Sequence, residues 1–348
     1  MDQKKKVILA CGGSGGHLYP AQELALQLIR EGIEVSFIGV DLDKSSFLSN
    51  EFRRCSLPGA PLKNPIRSTF LHAKGLLKSL SFMRRQAPHL IIGFGSYHSF
   101  TPLLAARLLK TPYLIFEANS VLGRVNRLFV KKAQKSLSFF PHSEMVRVKM
   151  PIRCKRATKD EALKHYGLEK EKCTLLICGG SQGALSLNQL FMKALKEIPS
   201  SLRHFQIIHI TGLGKKEGEA KRLYSAFGIK NVVIPFELEM HYAYAASDLV
   251  LARAGAGTIA DLVAYERPAL LIPYPFETDG HQTKNAAFMK LAVGGAEFLS
   301  EKDLTPEKLA ENLLNIMRKK EPMKKAISFF KANDHRKELS EYLLKEYF

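Results

Sequence analysis

Residues 7–32 read VILACGGSGGHLYPAQELALQLIREG, and residues 174–195 read TLLICGGSQGALSLNQLFMKAL. Each stretch begins with a short apolar run, passes through a glycine-rich turn and continues with the apolar spacing of a helix. Glycine at such a turn lets backbone N–H groups and the positive end of the following helix approach an anion or a crowded ligand without interference from a Cβ atom. The two copies predict two α/β domains, each of which holds one substrate.

Short apolar or β-branched runs alternate with helix-like segments along most of the chain. The predicted strands are residues 7–10, 34–40, 90–93, 113–116, 174–178, 206–210, 232–235, 248–251 and 269–273. Strands that are apolar throughout and separated by helices indicate parallel sheets with both faces covered. We therefore predict two doubly wound, Rossmann-like domains facing a cleft, at residues 1–155 and 156–348, with the polar segment 147–172 as the best linker candidate. The helices after Glu301 are expected to close the second domain or to cross back to the first.

Composition excludes several classes of protein. The most apolar segment, residues 90–109, is interrupted by His98 and Arg107, so no run approaches the roughly 18 apolar residues of a membrane-spanning helix. The apolar run after the N-terminal lysines is too short for a signal peptide. Five cysteines without a CxxC pair predict neither a disulfide framework nor a zinc site. We therefore expect a cytoplasmic protein without a bound metal.

The 348-residue chain carries a formal net charge of +19, which predicts an anionic partner. Residues 52–116 contain ten Lys or Arg and no Asp or Glu. Inside this window, the segment 66–85 interleaves cations with apolar residues, among them Phe70, Leu77 and Phe82. That pattern suits shallow insertion into an anionic membrane surface, and equally an amphipathic helix packed on its own domain with a solvated basic face.

The first glycine turn, residues 12–17, lacks the third glycine of the dinucleotide pattern G-x-G-x-x-G. Asp41 and Asp43 follow the second predicted strand, where ribose ligands of NAD or a metal–diphosphate site remain weak alternatives. His17 lies at the mouth of the turn, where an imidazole can accept a proton from a hydroxyl group near neutral pH. It is a candidate general base, and the alternative is a helix-start histidine bonded to the backbone.

The segment 253–261, RAGAGTIAD, is the strongest local signal. Its glycines form a tight turn after a predicted strand, and a helix opens at Thr258. N–H groups at this helix start can neutralise a diphosphate, while Asp261 can accept hydrogen bonds from ribose hydroxyls. A helix cap and a first-turn acid explain Thr258 and Asp261 without a ligand. Gln282 and Asn285 support the ligand-binding interpretation. They are polar residues that follow the next predicted strand, at the carboxyl edge where α/β sheets bind ligands.

Six motifs of the sequence together resemble those of one known family. They are GGSGGHLYPA (12–21), GFGSY (93–97), FEANS (116–120), GGSQGA (179–184), RAGAGTIAD (253–261) and HQTKNA (281–286). In order and approximate spacing they resemble the MurG family of bacterial peptidoglycan glycosyltransferases, from about Lys6 to about Phe298. The resemblance implies the GT-B architecture. It also implies inverting transfer of N-acetylglucosamine from UDP-N-acetylglucosamine to the 4-hydroxyl of undecaprenyl-pyrophosphoryl-N-acetylmuramyl-pentapeptide (lipid I), which gives lipid II.

The resemblance implies roles for single residues. His17 and Glu117 match the family's acceptor-side candidates for the catalytic base. The residues implied to contact the donor are Ser14, Gly15, Gly16, Asn119, Arg153, Ser181, Glu237, Ala256, Gly257, Thr258, Ile259, Ala260, Asp261 and Gln282. Glu237 is implied to lie beside the uracil mainly through its backbone. Asp261 stands where the family usually has Glu, so its ribose contact must reach one methylene further.

Three further motifs depart from the family pattern. Its EQN reads EAN at residues 117–119, its GNPVR reads KMPIR at 149–153, and its GGY reads GSY at 95–97. These changes affect the expected conformations of the loops, while the charged and glycine positions are largely kept.

The implied enzyme needs no cofactor and acts as a peripheral protein at the cytoplasmic face of the inner membrane, with the acceptor and membrane on the first domain and the donor on the second. Another GT-B glycolipid glycosyltransferase, such as lipid A disaccharide synthase or a diacylglycerol glycosyltransferase, is the nearest alternative. A nucleic-acid-binding protein would also explain the net charge of +19. We expect no nucleic acid partner, however, because the chain has no Trp and its cations cluster among apolar residues.

Overall fold

The computed structural model describes residues 4–13, 15–60, 65–152, 157–277 and 279–348. The chain divides into two compact units: Met1–Ile152 together with Arg336–Phe348, and Arg153–His335. Each unit contains a parallel sheet with helices between successive strands, which confirms the predicted α/β class with two Rossmann-like domains.

The sheet of the first unit has seven parallel strands among the described residues. They are β1 (Lys6–Ala10), β2 (Glu34–Val40), β3 (Arg54–Leu57), β4 (Leu90–Gly93), β5 (Tyr113–Glu117), β6 (Lys135–Ser138) and β7 (Val146–Arg147). Their spatial order is β3-β2-β1-β4-β5-β6-β7, so the chain direction across the sheet reverses between β1 and β4. The carboxyl ends at such a reversal are where open α/β sheets bind ligands. The glycine turn after β1 therefore lies at the expected place for a site.

Helices cover both faces of this sheet. They are α1 (Gly15–Arg30), α2 (Pro65–Gln86), α3 (Phe100–Leu108) and α4 (Arg124–Phe129), with short 3-10 helices at Leu42–Lys44, Tyr97–Ser99 and Val130–Lys132. The core beside β1 and β4 is built from buried side chains such as Ile8, Ile91 and Leu103, with Phe82 and Met83 of α2 packed into it. Phe82, which the sequence placed among the apolar residues of a membrane surface, is therefore a core residue.

The second unit repeats the plan. Its strands are β8 (Cys173–Cys178), β9 (Phe205–Ile210), β10 (Asn231–Ile234), β11 (Leu249–Ala252), β12 (Ala269–Leu271) and β13 (Ala296–Phe298), in the order β10-β9-β8-β11-β12-β13. Its helices are α5 (Lys159–Tyr166), α6 (Leu185–Glu197), α7 (Glu217–Ala226), α8 (Met240–Ala246), α9 (Ala256–Ala264), α10 (His281–Leu291) and α11 (Pro306–Ala332), with 3-10 helices at Ser200–Leu202 and Glu301–Asp303. The reversal falls between β8 and β11, and the loops after these two strands carry the glycine turn 179–183 and the segment 253–261.

The last helix, α12 (Leu339–Tyr347), belongs to the first unit. The Arg336 guanidinium donates to the carbonyl of Phe139 at 2.5 Å, and the N–H of Lys149 donates to the carbonyl of Lys337 at 2.9 Å. Leu339 and Leu343 of α12 are fully buried.

Part of the polar segment 147–172 is a helix, so the prediction that the whole segment is a linker is partly wrong. Residues 159–166 form α5, whose start is fixed by a capping box: the Thr158 hydroxyl accepts from the N–H of Glu161, and the Glu161 carboxylate accepts from the N–H of Thr158. The T-x-x-E pattern was visible in the sequence, because a Thr three residues before a Glu is a helix-start signal. The helix was not predicted because its sequence, KDEALKHY, is mostly charged or polar.

Candidate active site

The first glycine turn is shaped by a histidine that the sequence did not single out. A Cβ atom on Gly12 or Gly13 would lie 2.8 Å from side-chain atoms of His98, so neither position has room for a larger residue. Gly13 also has φ +85°, a region that favours glycine. The turn after β1 is therefore held in place by His98, which follows the GFGSY motif after β4.

His98 is 7% exposed, and its Nδ1 lies 2.9 Å from the Ser96 hydroxyl. Burial, together with the smaller effect of the nearby His17, lowers the pKa of His98 to about 4. His98 is consequently neutral at physiological pH. Because the two imidazoles are electrostatically coupled, the structure brings the candidate base His17 together with the second glycine motif of the same unit.

His17 is the third residue of α1 and is partly exposed, with Gly15 buried and Gly16 exposed at the helix start. The predicted donor residue Ser14 lies outside the described residues, as does Arg153. His17 therefore occupies the carboxyl edge of the sheet at a helix N-terminus, as its position after the first glycine turn predicted.

Glu117, the second candidate base, holds a loop. Its carboxylate is 3% exposed and accepts hydrogen bonds from the N–H of Asn119 at 3.0 Å, from the N–H of Gly123 at 2.9 Å and from the Asn126 amide at 2.8 Å. Asn119 is partly buried, and its carbonyl lies 2.9 Å from Nε2 of His142. The geometry gives Glu117 a structural task, the ordering of residues 118–123 after β5.

The glycine turn of the second unit is closed by a neighbouring loop. A Cβ atom on Gly183 would lie 2.4 Å from the carbonyl oxygen of Thr211, so the two loops cross backbone against backbone. The Lys215 ammonium donates to the carbonyl of Gly183 at 3.0 Å and also to that of Gln182. The predicted donor residue Ser181 lies on this braced turn and is partly exposed.

Helix α9 begins next to that turn with an uncrowded N-terminus. Gly255 is its N-cap residue with extended backbone, and the first turn contains Ala256, Gly257 and Thr258. Apart from its chain neighbours and the backbone of its own helix, no described residue lies within 4 Å of the place where a Cβ on Gly257 would be. The N–H groups of this first turn have no intrahelical partner, which is the usual arrangement for binding an anion. Ile259 and Ala260, also predicted as donor residues, are buried and secure the helix to the core.

Asp261 projects from the second turn of α9 and accepts a hydrogen bond from the Tyr244 hydroxyl. Its charge also reaches Cys178 at the end of β8, whose pKa is raised to about 12 by burial and by Asp261. The backbone of Gly180 donates to the Cys178 sulfur, so the carboxylate and the glycine turn are neighbours. The structure thus brings together two motifs that lie about 80 residues apart in the sequence.

Arg253, the cation of the RAGAGTIAD motif, is structural. Its guanidinium is buried and donates to the carbonyls of Ile272 and Pro273 at 3.1 and 3.2 Å, to Ser186 at 2.9 Å and to the Glu301 carboxylate at 2.5 Å. It joins the ends of β11 and β12 to the start of α6.

Glu237 has both carboxylate oxygens engaged. Tyr166 donates to one oxygen at 2.7 Å, and the N–H of Glu239 donates to the other at 2.7 Å. These two hydrogen bonds fix the loop after β10.

Gln282 and Asn285 of α10 have different surroundings. Gln282 is partly exposed, and its amide oxygen accepts from the N–H of Tyr274 at 3.0 Å. Asn285 is fully buried and donates to the carbonyl of Ala254 at 3.0 Å. This hydrogen bond stabilises the turn before α9.

The described residues contain no group of three or more His, Cys, Asp or Glu side chains that could hold a metal ion. Asp41, one of the weak candidates, is paired with Lys44 at 2.9 Å. None of the described helices is long and apolar enough to cross a membrane.

The basic window presents one exposed apolar face on α2. Phe70 and Leu77, seven residues apart and therefore on the same side of the helix, are 71% and 69% exposed. Lys74 and Lys78 lie beside them on exposed positions. Phe82 and Met83 of α2 lie in the core, and Leu76 and Leu80 pack against it, so the membrane surface predicted from the sequence has fewer exposed apolar residues than expected.

Comparisons with known proteins identify the family of the chain and structures with the same two-domain fold. The chain matches the models of the glycosyltransferase family 28 N-terminal domain over residues 7–138 and C-terminal domain over residues 174–339. It is 34% identical to UDP-N-acetylglucosamine--N-acetylmuramyl-(pentapeptide) pyrophosphoryl-undecaprenol N-acetylglucosamine transferase of Protochlamydia amoebophila, over 98% of this chain and 95% of the relative. The protein of that name from Chlamydia trachomatis serovar L2 is 35% identical over 90% of each chain. The crystal structure of MurG from Acinetobacter baumannii superposes with a TM-score of 0.75, at 27% identity and 99% coverage of both chains.

Proposed function

The chain belongs to glycosyltransferase family 28, and from this premise we propose that it transfers N-acetylglucosamine from UDP-N-acetylglucosamine to the 4-hydroxyl of lipid I, giving lipid II. It is a glycosyltransferase with the GT-B fold. The relatives named for this reaction cover nearly the whole chain, so the proposal concerns both units.

One observation carries the donor half of the proposal. At the carboxyl ends of β8 and β11, the open helix start at Gly257 lies beside a carboxylate, Asp261, and a braced glycine turn. Free N–H groups suit a diphosphate, and a carboxylate suits the two hydroxyls of ribose. The backbone of Glu237 is proposed to meet the uracil, because its side chain is held by Tyr166.

The reaction forms a bond between the muramyl 4-oxygen and the anomeric carbon and breaks the bond from that carbon to the UDP oxygen. The acceptor hydroxyl must lose its proton, and the departing diphosphate gains negative charge. We assign proton acceptance to His17 on the first unit. N–H groups of the α9 start and of the second glycine turn stabilise the growing charge on UDP, since donors fixed in advance are most effective where charge develops.

The structure supports His17 over Glu117 as the base. A general base needs a lone pair within hydrogen-bond reach of the acceptor hydroxyl. The Glu117 carboxylate is 3% exposed and accepts three internal hydrogen bonds, whereas His17 is partly exposed at the helix start. Glu117 is therefore proposed to order the loop that carries Asn119.

The same proposal places the enzyme at the cytoplasmic face of the cell membrane, with α2 as the contact. Exposed Phe70 and Leu77 would enter the headgroup region, while Lys74 and Lys78 would meet anionic lipid.

Replacing Phe70 and Leu77 with Ser should release the protein from vesicles containing anionic phospholipid while UDP binding is kept. The matched control is Leu291→Ser with Phe329→Ser, which removes equally exposed apolar side chains from the second unit. Equal loss of vesicle binding in both variants would contradict the assignment of α2.

The activity is tested directly by incubating the purified protein with radiolabelled UDP-N-acetylglucosamine and lipid I. We expect a labelled lipid product whose formation depends on lipid I. Parallel reactions with a lipid A precursor and with diacylglycerol identify any other acceptor. Label in one of these lipids, and none in lipid II, would overturn the proposed acceptor while keeping the glycosyltransferase.

A further inference from the structure

A buried tyrosine holds the proposed ribose ligand. Tyr244 lies on α8 and is 2% exposed, and its hydroxyl donates to the carboxylate of Asp261 on α9. The ring of Tyr265, the residue after α9, stacks on Tyr244 with 5.3 Å between centroids and 12° between planes. The stacked ring and the buried position restrict the Tyr244 hydroxyl to one place, so the direction in which it holds the carboxylate is fixed.

This contact matters more for Asp than for a longer acid. A Glu at position 261 could adjust its reach through an additional torsion, while Asp depends on where its short side chain is held. A carboxylate offers about four lone-pair directions, so it can accept from Tyr244 and from a pair of ribose hydroxyls together. Burial and the charge of Asp261 raise the pKa of Tyr244 well above its usual value, which keeps the hydroxyl protonated and donating.

We propose that Tyr244 is a positioning residue that presents the Asp261 carboxylate to the ribose 2′- and 3′-hydroxyls, and that this pair makes the donor site select ribonucleotides over 2′-deoxyribonucleotides. The inference rests on the proposed function, since it assumes a uridine nucleotide on the second unit. It adds to that function the residue that sets the sugar specificity of the nucleotide subsite.

The test is calorimetric titration of UDP and of 2′-deoxy-UDP into the full-length protein. Tyr244→Phe keeps the ring and its stacking on Tyr265 and loses only the hydroxyl. The matched control is Tyr224→Phe, which removes another fully buried hydroxyl of the same unit, one that lies 2.7 Å from His209. The measured quantity is the ratio of the two affinities, in which any effect on the shared diphosphate contacts cancels.

We expect the wild-type protein to prefer UDP, and Tyr244→Phe to reduce that preference by about three- to tenfold, as for the loss of one hydrogen bond. Tyr224→Phe should lower the midpoint of thermal unfolding and keep the preference. In turnover assays, Tyr244→Phe should raise KM for UDP-N-acetylglucosamine more than it lowers kcat. An unchanged preference in Tyr244→Phe, or an equal fall in Tyr224→Phe, overturns the positioning role and leaves the proposed function standing. Failure of UDP to bind the wild-type protein overturns both.

Discussion

Glycines occur at the candidate sites of both units, but the reasons for them differ. In the first unit, Gly12 and Gly13 lie against the His98 side chain, where a Cβ atom would clash at 2.8 Å. In the second unit, Gly257 lies in a helical first turn, and no described residue outside that helix's backbone and its chain neighbours lies within 4 Å of its missing Cβ. Glycine inside a helix costs roughly 0.5–1 kcal/mol relative to Ala, so folding alone gives no reason for Gly257. The comparison shows that the first glycine turn is shaped by its own protein, whereas the start of α9 leaves space at Gly257.

The largest expected effect separates chemistry from donor binding. His17→Ala should lower kcat by about 10²–10⁴, the usual range for losing a general base, while the affinity for UDP measured by calorimetry stays the same. His89→Ala, which removes a histidine bonded to the N–H of Lys6 elsewhere in the first unit, serves as the control. Unchanged turnover in His17→Ala would remove His17 as the base.

The next effect concerns stability. Gly12→Ala should lower the free energy of unfolding by about 1–3 kcal/mol, because the new methyl group must displace His98 from a packed position. Urea or thermal denaturation measures this loss. If the variant were as stable as the wild type, the first turn would be as uncrowded as the start of α9, and the contrast between them would disappear.

Gly257→Ala should give the opposite result: no loss of stability, but UDP binding weaker by roughly tenfold, because a Cβ occupies space that the diphosphate needs. Gly218→Ala is a matched control. Gly218 is the second residue of α7, just as Gly257 is the second residue of α9, and it also has an uncrowded Cβ position. Both variants gain helix propensity, and only Gly257→Ala should lose affinity. Unaltered UDP binding in Gly257→Ala would exclude this helix start from the donor site.

The smallest effect is a change in the pH dependence of stability. The pKa of His98 is lowered to about 4 in the folded protein, so the unfolded chain binds more protons between about pH 6.5 and pH 4. Stability from His98 is fully present above pH 6.5 and falls as the pH decreases, by at most about 1.4 kcal/mol per pH unit. His98→Gln should flatten this part of the profile of thermal unfolding against pH. His209, whose pKa burial lowers to about 3, retains its own acid sensitivity in both proteins. Identical slopes in wild type and variant would show that His98 is not buried as described.

Central strands were predictable from the sequence, whereas all edge strands except β10, predicted as residues 232–235, were missed. The strands flanking the two reversals, such as β1, β4 and β8, are continuous apolar runs because both of their faces are buried. The missed strands are β3, β6, β7 and β13, which are short and lie at or near the edges of the sheets. An edge strand such as β3 has alternating buried and partly exposed residues, so its sequence, RCSL, has no apolar run to recognise.

The candidate site shows a similar division. Local patterns predicted the glycine turns, because tight turns depend on nearby residues. They placed the start of α9 at Thr258, whereas the helix begins at Ala256 after the N-cap residue Gly255. They did not reveal that Arg253 binds Glu301, that Glu117 holds the loop after β5 or that Tyr244 holds Asp261. Each of these contacts joins residues from different elements, and their identities follow from the fold and from no local spacing. Phe82 was misplaced for the same reason, since only packing decides which apolar side of α2 faces the core.

The return of α12 to the first unit has a consequence for how the molecule assembles. The hydrogen bond from Arg336 to Phe139 joins residues 197 apart in sequence, whereas the second unit consists of one continuous stretch of chain. During synthesis from the N-terminus, the second unit can complete its sheet while the first still lacks its closing helix. The unit bearing His17 is therefore whole only after residues 336–348 have left the ribosome, later than the second unit, although most of it is synthesised earlier.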